Sequence, residues 1–199
     1  MNPIITLREF FSNQIAILLK KQYNNSHINS RQAFRRLDKG VGTMSVEAVR
    51  DYLQSFDLDS QILTLDQSSA TVELASKALG VIPAQIAKTL SFQAAQGCLL
   101  VVTAGDRKID NAKFKSAFGC KAKMLSPDQV LELTGHPVGG VCPFALASDN
   151  AQVYLDESLR RFEVVYPACG SSNTAIKLTI EQLFITSNAK GWVDVCKEI

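Results

Sequence analysis

The segment Lys88-Thr89-Leu90-Ser91-Phe92, the turn Ala95-Gln96-Gly97 and the run Cys98-Leu99-Leu100-Val101-Val102-Thr103 decide how this 199-residue chain is read. Two β-prone runs on either side of a short glycine-containing turn predict a hairpin. The two runs therefore read as paired strands.

Downstream, Asn111–Phe118 reads as a basic helix stopped by Gly119. Ser126-Pro127-Asp128-Gln129 combines a cap, a first-turn proline and a Gln three residues on, and the helix it opens stops at Gly135. Val153-Tyr154-Leu155, Phe162–Tyr166, Ala175–Leu178 and Trp192–Val195 read as strands, and Thr179-Ile180-Glu181-Gln182 opens a further helix. Upstream, Ile62–Leu65 reads as a strand. Thr71 caps a helix over Val72–Leu79 that ends at Gly80, and Pro83 opens another helical turn. Ser45 is expected to cap a helix running to Phe56. Helices and strands mix without strict βαβ alternation. The expected class is α+β (mixed α/β), a curved, largely antiparallel or mixed sheet with a barrel-like core and helices around it.

Composition narrows the function classes. The chain is 46% hydrophobic and 20% charged, as a folded domain requires. No apolar run approaches the roughly 18 residues that span a bilayer, so no membrane partner is expected. Arg8 and Glu9 interrupt any N-terminal signal pattern. Five cysteines, without a CxxC pair, and two histidines support neither a disulfide framework nor a metal site. No metal or other cofactor is called for, and a reducing cytoplasm is the expected setting.

Charge is distributed unevenly. Residues 1–43 hold seven Lys/Arg against two acids, a net +5, whereas residues 44–199 hold 14 against 17, a net −3. We therefore divide the chain into a basic extension, 1–43, and a domain, 44–199. The apolar spacing in the extension predicts an amphipathic helix over Leu7–Lys21, and Gly40-Val41-Gly42-Thr43 reads as a linker. Two readings stand: a poorly ordered segment upstream of a start at Met44, or a basic arm for nucleic acid or a partner.

Chemistry concentrates in Gly135-His136-Pro137-Val138-Gly139-Gly140-Val141-Cys142-Pro143-Phe144. Paired glycines permit conformations closed to other residues and let a ligand approach the main chain. Free N–H groups there can cradle a carbonyl, an oxyanion or a phosphate. A tight surface connection is the plainer alternative. Lys88 either points to solvent or faces this loop as a point charge for a phosphate or ribose oxygen. Arg107, Lys108, Lys113, Lys115, Lys121 and Lys123 stand against Asp106 and Asp110, a net +4. They form either a solvated helix face or a phosphate-tracking patch on an otherwise acidic domain. Cys142 and His136 could pair as thiolate and imidazolium, but no third orienting residue is evident and a buried or incidental cysteine is the favoured reading. Asp156-Glu157 reads as a turn.

Taken together, Met44–Arg50, Ala70–Ala75, Ala78–Val81, Ile86–Phe92, the loop Gly135–Phe144 and Gly170-Ser171-Ser172-Asn173-Thr174 resemble the YbaK/EbsC family, which is related to the editing domain inserted in bacterial prolyl-tRNA synthetase. The family's GxxxP element stands here as Gly139-Gly140-Val141-Cys142-Pro143. The resemblance implies a free-standing aminoacyl-tRNA deacylase acting on the acceptor end of mischarged tRNA, often tRNA(Pro) carrying a smaller amino acid, with prolyl-tRNA synthetase as an associated partner. It implies that Lys88, Gly139, Gly140, Val141, Cys142 and Pro143 carry the reaction, with the loop backbone around the scissile carbonyl, Lys88 anchoring the terminal nucleotide and a ribose hydroxyl helping to activate water. Thr71, His136 and Ser171 are further pocket candidates by motif position. A non-catalytic tRNA-binding or synthetase-associated module on the same fold, and a thiol hydrolase using Cys142 and His136, are the alternatives.

Overall fold

In the computed structural model, residues 41–199 are described. Residues 1–40 of the basic extension, with the helix expected at Leu7–Lys21, lie outside them.

The hairpin is present as β2 (Ile86–Gln93) and β3 (Cys98–Ala104), antiparallel from Ala87 against Ala104 to Gln93 against Cys98. Every residue of β3 is buried, as its apolar run requires. Cys98, Leu100, Val102 and Ala104 face the larger core, with Phe144, Leu155 and Ile176. Leu99 and Val101 face a smaller one with Phe92 and Phe114.

Around the hairpin the sheet is mixed. β5 (Ala151–Asp156) runs parallel to β3, and β6 (Val164–Pro167) runs parallel to the start of β2. β8 (Leu178–Thr179) and β9 (Trp192–Val193) complete the six-stranded order β8-β6-β2-β3-β5-β9. Two antiparallel pairs stand beside it: β1 (Ile62–Thr64) with β7 (Thr174–Ile176), and β4 (Arg107–Ile109) with β10 (Cys196–Glu198).

Five helices surround this sheet among the described residues: α1 (Val41–Gln54), α2 (Val72–Leu79), α3 (Asn111–Phe118), α4 (Pro127–Thr134) and α5 (Ile180–Thr186). Their ends follow the local signals. Thr71 accepts the Leu74 N–H, Ser126 and Thr179 form complete capping boxes, and Gly80, Gly119 and Gly135 end helices with left-handed backbones. Asp110 caps α3 by accepting from the Ala112 and Lys113 N–H groups.

One expectation fails at the start of the domain. Val41 to Thr43 are helical, not a linker, and Ser45 lies inside α1. Its hydroxyl is buried and bonds His136 Nδ1 at 2.6 Å. A side chain committed to a residue 91 positions away does not cap its own helix.

Candidate functional site

The open edge of β2 forms one wall of a cleft of about 520 Å³. Pairing with β6 stops at Ala87. Farther along, Ser91 accepts the Leu125 N–H and Gln93 donates to the Lys123 carbonyl. Lys88, Thr89 and Leu90 between them line the cleft. Ser69–Val72, entering α2, and Val138, Gly139 and Val141 of the glycine loop line it as well. Met124, Leu125 and Val130, with Tyr166, Ala168, Thr174 and Ala175, are also in its lining.

The glycine loop is held where its sequence implies. Gly139 has φ +90°, in the region that favours glycine. A Cβ on Gly140 would lie 2.6 Å from the Ser171 Cα and 2.7 Å from its N, so only glycine lets the two backbones touch. The Gly140 N–H donates to the Pro137 carbonyl at 2.9 Å, whereas the Val141 N–H has no protein acceptor among the described residues. Ser69 ties the wall at α2 to the same corner: its N–H and hydroxyl both donate to the Ser172 carbonyl, at 2.5 and 2.9 Å.

Lys88 takes neither of its two expected positions in full. It lines the cleft, but its half-buried ammonium donates to the carbonyls of Gly105, at 3.0 Å, and Arg107. Burial pulls its pKa below the ordinary lysine value, with Cys196, Asp106 and Glu73 opposing that shift. A lysine ammonium has three donors, so two carbonyls leave one direction for a ligand.

Thr71 both caps α2 and lines the cleft. Ser171 does not line it. Its hydroxyl donates to Asn173 Oδ1 at 2.7 Å and shapes the turn beneath Gly140. Pro143 is buried behind the loop. Of the basic residues, Arg107 bonds Glu198 at 2.9 Å and Lys113 bonds Asp194 at 2.8 Å. Lys108, Lys115, Lys121 and Lys123 are exposed, and Lys123 adjoins Met124 on the cleft rim.

His136 and Cys142 do meet, with Sγ 3.4 Å from Nε2, but not as a catalytic pair and not in the cleft. His136 Nε2 lies 2.8 Å from the Phe144 carbonyl, which can only accept, so Nε2 carries the proton. Nδ1 accordingly accepts from Ser45. The nitrogen facing the thiol therefore cannot take its proton. Burial lowers the His136 pKa to about 4 and raises that of the Cys142 thiol to about 12. The geometry fits the favoured reading of Cys142 as a buried cysteine and runs against the thiolate–imidazolium alternative, and it corrects the placing of His136 in the pocket: both side chains are buried behind the loop.

Several cleft residues gave no signal of their own in the sequence, because apolar or small side chains such as Ala70, Val130 and Ala168 look like any core residue. Thr89 is one with a distinctive feature. Its Oγ1 is buried without a hydrogen-bond partner. Among the described residues no group of His, Cys, Asp and Glu could hold a metal, and no helix is long and apolar enough to cross a membrane.

Known proteins match this arrangement. The family model described as "Aminoacyl-tRNA editing domain" matches residues 66–184, a span containing the whole cleft. A protein of Bacillus subtilis (strain 168), named YwhH and described as uncharacterized, is 51% identical over 156 residues, 78% of this chain and 99% of that one. A proline–tRNA ligase of Thermotoga maritima is 30% identical over 95 residues, 47% of this chain but 16% of the ligase. A crystal structure described as "a putative trans-editing enzyme for prolyl tRNA synthetase" superposes with a TM-score of 0.70 at 27% identity, covering 77% of this chain and 97% of that one. The mixed, curved sheet, the helices around it and the matched segment agree: the chain belongs to the YbaK and prolyl-tRNA synthetase editing-domain family of tRNA-editing-like proteins.

Proposed function

We propose that this protein is an aminoacyl-tRNA deacylase that hydrolyses the ester of mischarged tRNA, with tRNA(Pro) carrying a small non-cognate amino acid as substrate. The observation that carries this reading is that the glycine loop and the Lys88 strand line one cleft. An aminoacyl ester is already activated, so positioning and oxyanion stabilisation supply what the reaction needs.

In this reading Val141 offers its N–H to the scissile carbonyl, and Gly139 and Gly140 let the ester approach the main chain. Lys88 places its remaining N–H donor on the terminal nucleotide. A ribose hydroxyl of the substrate helps to activate the attacking water. The buried, high-pKa Cys142 supports a route without a protein nucleophile. The exposed Lys121 and Lys123, near the rim, suit the acceptor-stem phosphates. Prolyl-tRNA synthetase is the partner that would deliver such a substrate, in the cytoplasm.

The test is single-turnover deacylation of alanyl, cysteinyl, seryl and threonyl esters on tRNA(Pro) and on their own tRNAs. Hydrolysis that Lys88→Ala lowers at least tenfold supports the reading. Binding of aminoacylated tRNA without turnover of any ester would establish a binding module instead.

A further inference from the structure

The turn Gly105-Asp106-Arg107, between β3 and β4, holds the Lys88 ammonium through two carbonyls, and the same turn is gripped from outside. Arg161 donates to both oxygens of the Asp106 carboxylate, Nη1 to Oδ2 at 2.9 Å and Nη2 to Oδ1 at 2.5 Å. Its own Nε donates to the Ser158 carbonyl at 2.9 Å, and its guanidinium lies over the Phe162 ring. Arg107 is taken by Glu198 at 2.9 Å, and the Asp106 carbonyl accepts the Ile199 N–H at 3.4 Å. A Cβ on Gly105 would run into the Pro83 carbonyl and lie 2.6 Å from Val72 Cγ1, so the turn is wedged against the Pro83 backbone and a residue that lines the cleft.

We propose that Arg161 and Glu198 are positioning residues for Lys88: acting through Asp106 and Arg107, they hold the two carbonyls that aim its ammonium along the cleft. The inference rests on the reading of Lys88 as a substrate-binding group. A lysine is a point charge on a flexible four-carbon stem, and without fixed acceptors it samples many rotamers. A bidentate Arg–carboxylate pair adds geometric definition beyond its energy. Half-exposed ion pairs contribute little to stability, so loss of this one acts on placement more than on folding.

The experiment uses the full chain and two readouts. Lysine ammonium groups are observed by ¹H–¹⁵N correlation at low temperature, with Lys88→Ala identifying the Lys88 signal. In Arg161→Gln, that signal is expected to exchange with water at least tenfold faster, with the melting temperature nearly unchanged. On the ester panel, Arg161→Gln is expected to lower kcat/KM about tenfold, with partial rescue by Arg161→Lys. Added to Lys88→Ala, it should cost nothing further. An unchanged ammonium signal, or losses that multiply independently in the double variant, overturns the proposal. If Lys88→Ala is inactive and Arg161→Gln fully active, this proposal alone falls. If the wild-type protein hydrolyses no ester, or Lys88→Ala keeps full activity, the reading of Lys88 falls and takes this proposal with it.

Discussion

The Nδ1 of His136 accepts a hydrogen bond from the Ser45 hydroxyl at 2.6 Å, which joins the glycine loop to the first turns of α1. With Nε2 donating to the Phe144 carbonyl at 2.8 Å, the neutral ring is satisfied at both nitrogens. Its burial away from water disfavours the protonated, charged form.

A pH dependence of stability follows. The folded-state pKa of His136 is lowered to about 4 from 6.5. Its contribution is therefore complete above pH 6.5 and is lost as pH falls from 6.5 towards 4. The loss should reach about 3 kcal/mol at the acid end. Urea titrations between pH 7.5 and 4.5 measure it, and His136→Gln should flatten the profile across that window.

Cys142 should be chemically silent. Its side chain is fully buried and its thiol pKa is raised to about 12 by burial. Iodoacetamide on the native protein is expected to label the partly exposed Cys120 and leave Cys142 unmodified, as peptide mass spectrometry would read. Cys142→Ala should keep deacylation within about threefold of wild type and cost about 1 kcal/mol of stability.

Gly140→Ala should damage both fold and activity. The added methyl group meets backbone atoms of Ser171 at 2.6 and 2.7 Å, and backbone cannot turn aside as a flexible side chain can. A loss of about 2–3 kcal/mol, with a displaced loop and at least tenfold slower deacylation, is expected. Val138→Ala provides the contrast. Val138 is 65% exposed, so its stability should change by less than about 0.5 kcal/mol.

Thr89→Val should leave the protein as stable or more stable. The Thr89 hydroxyl is buried without a partner, and valine keeps the branching while removing the uncompensated polar atom. A gain of up to about 1 kcal/mol in denaturant titration is expected. A clear loss would mean that the hydroxyl has a partner in solution.

The hairpin, the capped helices and the mixed sheet could be read from residue order because their determinants are local. Ser126 and Gln129 signal a helix start by spacing alone, and the run Cys98–Thr103 beside the turn at Gly97 announces a paired strand. β4 and β10 could not be read so. Arg107-Lys108-Ile109 and Cys196-Lys197-Glu198 are short and mostly charged, and their register pairs Arg107 with Glu198 across the chain. Taken alone, each looks like a solvated loop. Ser45 misled for a related reason: its residue type suits a cap, but its partner is 91 positions away. The same limit applied at Lys88, where composition offered solvent or loop and the turn beyond β3 supplied a third partner.

The pairing of β4 with β10 has a consequence for how the protein is made. The turn beside Lys88 is bounded by a strand near residue 107 and closed by one at 196–198. Synthesis runs from the N-terminus, and early segments collapse before late ones exist. A ribosome-bound chain can therefore form the hairpin and the glycine loop before β10 has emerged, but until then the turn that holds Lys88 has the Arg161 brace and lacks the one from Glu198. Maturation of the cleft is thereby tied to completion of the domain.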